Sequence, residues 1–334
     1  MTAVTTIETS TAAAAPSRGP RGLLWTMLRV HRSALWFWVL LAAFGAGTLL
    51  WAYGPGSDAA WAAFHKMGCD SGQPVLGCDD VGPATTRYDT AGGLGAGVLG
   101  LVPFLAAAWA GAALIGRELE NGTAQLAWTQ SVTPARWLAA KLAVPAALLT
   151  AGTLVLTLLH RLMWSADGPL RAATGSRDWF QGTTFEANGT LATAYALLGL
   201  AVGVLAGLLQ RRALPALGTA VLGMAILSSA IVSLRPHLWP VETLVNKHEY
   251  PEYIGMVLGD GALTSTGARV PDPICVDDAK CLADHDIVGF YRDYHPSSHF
   301  WPLQLVETGI VLAVAALAVL IAFRLLKRRT GAAV

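Results

Sequence analysis

Charge is what this sequence has least of. Only 13% of its 334 residues are Asp, Glu, Lys or Arg, while 54% are hydrophobic. Soluble domains carry about 25% charged residues, so water is not the only solvent this composition suits. Several chemistries are excluded by what is missing. No Gly-Lys dipeptide occurs. A G-x-x-x-x-G-K-[ST] phosphate loop is therefore absent, and the chain is not itself a P-loop ATPase. The nearest approach to H-E-x-x-H is "HEYPE", His248 to Glu252, with Glu where the second His would stand. No G-x-S-x-G nucleophile elbow is present. No basic stretch interleaved with aromatics points to nucleic acid. The net charge of +1 singles out no partner. Met1 to Pro20 lacks the charged and apolar regions of a cleaved leader and reads as a disordered cytosolic tail.

Long apolar runs are what the chain has in abundance. A bilayer core of about 30 Å takes about 20 mostly apolar residues in a helix. Six stretches qualify: 34–53, 93–115, 137–160, 191–209, 214–234 and 303–323. The fold class expected is an all-α polytopic membrane protein with six transmembrane helices and small, loop-rich segments outside. Its parts are a tail and juxtamembrane segment over 1–33, a transmembrane domain over 34–323, and a basic tail over 324–334.

Six spans place both chain ends on one side. With Lys141 counted at the edge of span three, that side holds 13 of the 23 basic residues and 3 of the 22 acidic ones. The three long loops, 54–92, 161–190 and 235–302, hold 10 basic and 18 acidic. Basic residues beside span ends mark the cytoplasmic face. Arg29, Arg32, Arg211, Arg212 and the run Arg324–Arg329 therefore put both termini and segment 116–136 in the cytosol of a multi-pass plasma-membrane protein.

All four cysteines, Cys69, Cys78, Cys275 and Cys281, fall in the outside loops. Two local disulfides are the leading reading, with cross-pairing between loops as an alternative. Asp277, Asp278, Asp284, His285, His295 and His299 lie near one pair, but the spacing matches no zinc signature and no metal is expected. Gly199, Gly203 and Gly207 recur at i, i+4, i+8, a smooth face for close helix packing or for a helix that slides; Gly93 and Gly97 repeat the idea in span two. Glu307 is the one carboxylate inside a span. It is a functional candidate by its position, or a side chain that reaches headgroups or a neighbouring helix.

The polar piece "GRELENGTAQLAWTQSVTPARW", Gly116 to Trp137, separates spans two and three. Asn121-Gly122 stops one helix. Thr123 can cap a short helix reaching about Gln130, and Thr133 with Pro134 restarts the chain as span three. Arg136 and Lys141 anchor that start at the interface. A plain helical hairpin needs only about 2–8 linking residues, so this piece reads as a docking peg in preference to a connector lying on lipid. Glu118, Glu120, Gly122, Thr123, Leu126, Pro134, Arg136 and Lys141 resemble the E-x-E-x-G-T…L…P-x-x-R…K signature of permease subunits of the second type of ABC exporter. "YHPSSHFWPLQLVE", Tyr294 to Glu307, is similar to actinobacterial members at the entry to the last span.

That resemblance implies a permease that pairs with a second permease, as homodimer or heterodimer. A separate ATPase would sit beneath it, with Mg-ATP on the ATPase and no cofactor or catalytic residue on this chain. It implies that Arg117, Glu118, Glu120, Gly122, Thr123, Leu126, Trp128 and Arg136 couple to the ATPase, the carboxylates as polar contacts and Leu126 with Trp128 as the packed face. An apolar bundle with few interior charges suits a hydrophobic or amphipathic substrate moved outward. The competing expectation is a non-transporting sensor or assembly protein that docks a cytosolic regulator.

Overall fold

The computed structural model describes residues 29–69, 82–129, 132–166, 168, 170–171, 178–247, 250–251, 255–275 and 278–331. The N-terminal tail before residue 29, Cys78 and Gln130 lie outside these. Among the described residues, six helices are long and apolar enough to cross a membrane, as the hydropathy pattern predicts. Span one is α1 (Arg32–Trp51), continued through a π-helical turn over Ala52–Gly56 into α2 (Ser57–Lys66). Pro55 lies in that widened turn, where its missing N–H interrupts the ladder without ending the helix. Span two is α3 (Pro83–Trp109), a second π-helical stretch over Ala110–Gly116, and α4 (Arg117–Glu120). The short α5 is Thr123–Thr129, and α6 (Pro134–Ala166) is span three. After α7 (Gly182–Ala187) come spans four and five, α8 (Leu191–Gln210) and α9 (Ala213–Leu234).

The helices outrun the hydropathy limits. Span two starts at Pro83, ten residues before the apolar run. Thr86 and Thr90 donate their hydroxyls to the Gly82 and Thr86 carbonyls one turn back, so their polar groups are satisfied within a helix that continues past the apolar run. Hydropathy marks where lipid ends, not where hydrogen bonding ends.

Segment 235–302 is not loop-rich, which corrects the expectation for that region. It carries an antiparallel four-stranded sheet, β1 (Glu242–Asn246), β2 (Met256–Thr264), β3 (Arg269–Val270) and β4 (Ile287–His295), in the order β1-β4-β2-β3. The helix α10 (Ala279–Asp284) precedes β4, and Cys275 is bonded to Cys281 beside it. Cys69 is also disulfide-bonded. Central β4 leads through the Ser297–His299 turn into span six, α11 (Phe300–Thr330). The sheet therefore stands on the ends of spans five and six that lie away from segment 116–136.

Span four is the bundle's axis: 78% of its most apolar stretch is buried, against 11% for span one and 17% for span five. Its glycines make this possible. A Cβ at Gly199 would overlap the carbonyl of Pro103, one at Gly203 the carbonyl of Ala107, and one at Gly207 would lie 2.9 Å from the Gly111 oxygen. Spans two and four are thus in backbone contact along three turns. Gly93 and Gly97 do not repeat the pattern, since nothing lies within 4 Å of a Cβ at either.

Candidate functional site

The chain reverses between spans two and three at the end of the bundle where its basic residues collect. Gly122 has φ of 72°, a left-handed conformation that suits glycine. Thr123 Oγ1 donates to the Glu118 carbonyl at 3.2 Å, bridging the break. At the restart Thr133 Oγ1 accepts from the Arg136 N–H at 3.3 Å, with Pro134 first in the helix, a side-chain cap of the expected kind.

Two carboxylates tie this elbow down. Glu118 accepts from Trp137 Nε1 at 3.2 Å and pairs with Lys141 Nζ. Lys141 is buried and is not an interfacial anchor; its ammonium also lies 3.5 Å from His31 Nε2 at the foot of span one. Glu120 accepts from the Ala213 N–H at 2.9 Å. That places a negative charge at the N-terminus of span five, where free N–H groups and the helix dipole favour it. So Glu118 faces span three and Glu120 faces span five. Trp128 turns inward as well, edge-to-face on Trp137 at 5.7 Å. What α5 offers outward is Gln125, Leu126 and Thr129, with Leu126 58% exposed. The coupling set read from the sequence is thereby divided into tethers and one exposed face. Arg117 and Arg136 are exposed.

Above the elbow a groove of about 1010 Å³ opens between spans one, two and three. Its walls are apolar, including Phe37, Trp38, Leu105, Trp109 and Leu148, and its polar residues gather at the elbow end.

A second charged cluster lies at the opposite end, under the sheet. Glu307 is fully buried. It accepts from Arg235 Nε at 2.7 Å, from Arg235 Nη2 at 2.9 Å and from the Tyr195 hydroxyl at 2.8 Å. Arg235 Nη2 also reaches Glu186 Oε1 at 2.9 Å. Burial raises the pKa of Glu186, and Arg235 pulls it back down. Arg235 and Glu307 together thus hold α7 and spans four, five and six. Glu307 does not reach toward headgroups; a neighbouring helix supplies its partner. The arrangement clamps helices and offers no free acid–base pair. Arg235 and Tyr195 were not singled out from sequence, although a lone buried carboxylate calls for a buried cation at its own depth.

Beside it, His295 Nε2 lies 3.0 Å from the Pro236 carbonyl, which can only accept. That nitrogen therefore carries hydrogen, and His295 Nδ1 shares a hydrogen bond with His299 Nδ1 at 3.0 Å. His299 Nε2 faces Glu242 Oε1 at 3.3 Å. The pair links the end of span five, the sheet and the start of span six. Burial lowers the pKa of His295, favouring its neutral form.

A family model described as ABC-2 membrane transporter related matches residues 38–235, which is more than half of the chain and covers most of span one, spans two to five and the elbow. No curated protein and no solved structure matches the chain.

Proposed function

The chain belongs to the ABC-2 membrane transporter related family, and from that premise we propose that this transporter permease is the membrane subunit of an ATP-driven exporter. The basic face with both chain ends is cytoplasmic, and the sheet is outside. A separate P-loop ATPase docks under the elbow, since this chain has no phosphate loop of its own. The sparsely buried first and fifth spans face a second permease. The substrate is hydrophobic or amphipathic and leaves on the sheet side.

The observation that carries this reading is the wiring of α5. Its exposed Leu126 is held on a short helix that packs Trp128 on Trp137 of span three and is joined through Thr123 to α4, whose Glu118 and Glu120 run to spans three and five. A push on that face is delivered to two spans at once. Glu118 and Glu120 are transmission groups in this reading and Leu126 is the docking group. The test is ATP-dependent movement of a fluorescent amphiphile into vesicles holding this chain and its ATPase. Leu126→Glu abolishes both co-purification and transport if the reading is right. Transport that survives without ATP, or is absent with both proteins folded and bound, refutes it.

A further inference from the structure

The groove over the elbow points to the chemical class of the substrate, and this inference rests on the transport reading above. Along span one its lining runs from Val30 to Leu41. At 1.5 Å per residue that is about 16 Å, close to half of the roughly 30 Å hydrocarbon core. Along span two the lining runs from Val102 to Glu118, about 24 Å, so the groove reaches through at least one leaflet. Its polar lining residues, His31, Ser33, Arg117, Glu118, Asn121 and Thr123, lie at the basic end, where headgroups would sit in the transport reading.

The charge at that pole can be counted. Both Glu118 oxygens are engaged, by Trp137 and by Lys141, so that carboxylate and ammonium cancel. Arg117 lines the same pole, exposed and without an ion pair among the described residues. A planar guanidinium with free N–H groups suits a phosphate or carboxylate. The walls below it bind apolar chain.

We propose that this groove holds one anionic amphiphile of the basic-face leaflet, its phosphate or carboxylate on Arg117 and its hydrocarbon against Phe37, Leu105 and Leu148. The volume agrees with a single lipid-like molecule, since it lies at the top of the about 300–1,000 Å³ range of ligand pockets.

The experiment uses the full chain, without any ATPase, in phosphatidylcholine vesicles doped with photoreactive phosphatidylglycerol or photoreactive phosphatidylcholine. Adducts are mapped by mass spectrometry. The anionic probe is expected to concentrate on the peptides of Leu105 and Leu148, about fivefold over the zwitterionic one, the discrimination one exposed charge contact supplies. Arg117→Gln removes that preference. Leu105→Trp, or Leu148→Trp if the first fails to fold, removes the adduct but leaves labelling at lipid-facing Leu320 unchanged. Even labelling of groove and Leu320 overturns the proposal. So does equal labelling by both probes, labelling that needs removal of residues 1–28, or cross-links to a second copy in place of lipid. A negative result beside intact ATP-driven transport refutes this occupant alone. Groove adducts without transport refute the exporter reading alone.

Discussion

Replacing Glu307 by Ala tests the clamp under the sheet. Glu307 is fully buried and accepts three hydrogen bonds, two from Arg235 and one from Tyr195. Removing one partner of a buried pair costs about 3–5 kcal/mol, because the other charge is left uncompensated. Arg235 keeps Glu186, whose side chain is 28% exposed and so partly solvated, which argues for the lower end, about 3 kcal/mol. The orphaned Tyr195 hydroxyl adds about 1 kcal/mol. At about 2 °C per kcal/mol for a chain this large, thermal unfolding in detergent should move down by about 8 °C. Glu307→Gln keeps the shape and one acceptor and should lose about half of that. The double change Glu307→Met with Arg235→Met should cost less than Glu307→Ala, since paired apolar replacement removes both desolvation costs. If Glu307→Ala left the midpoint unmoved, or the double variant cost the sum of the singles, Glu307 would not be holding Arg235.

Other parts of the structure make separate predictions. Gly199→Ala drives a Cβ into the Pro103 carbonyl and should destabilise by about 1–3 kcal/mol, whereas Gly97→Ala, with open space around it, should be neutral or gain up to about 1 kcal/mol of helix propensity; parallel melts compare them. Glu118→Ala strands the buried Lys141 and should lower stability by about 3 kcal/mol, with rescue by adding Lys141→Met; failure of rescue would show that the carboxylate acts through some other group. For His295, burial lowers the folded pKa below the ordinary 6.5. The unfolded chain therefore takes up a proton there that the folded chain refuses. Stability contributed at this site is present above that range and falls as pH drops through it. His295→Gln should flatten the difference in melting midpoint between pH 7 and pH 5, and an unchanged slope would refute the assignment.

Much of the membrane architecture was legible in the sequence, because burial in lipid leaves a 20-residue signature that needs no partner to be read. The elbow was legible for a related reason: Asn121-Gly122 and Thr133-Pro134 are local signals, and each acts where its own backbone requires it. The long-range partners were not. Nothing near Glu118 says that Lys141 and Trp137 will reach it, and Glu120 meets Ala213 only after three more spans have folded. Arg235 follows a span with no local signal of a partner, and Glu307 meets it from a different span. The sheet was legible but unread. "IVGFYRDYH", the whole of β4, is rich in β-branched and aromatic residues, yet its position between two spans invited the description of a loop.

The central claim is that α5 is a docking surface in the cytosol, and a single thiol tests it most directly. Cys69, Cys275 and Cys281 are disulfide-bonded, so Leu126→Cys adds a distinct reactive group at an exposed position. In inside-out vesicles an impermeant maleimide should label it quickly, and adding the partner ATPase should suppress labelling by about tenfold or more, as expected for a residue at the centre of an interface. Labelling from the outside of intact cells, or a rate indifferent to the ATPase, would contradict the account.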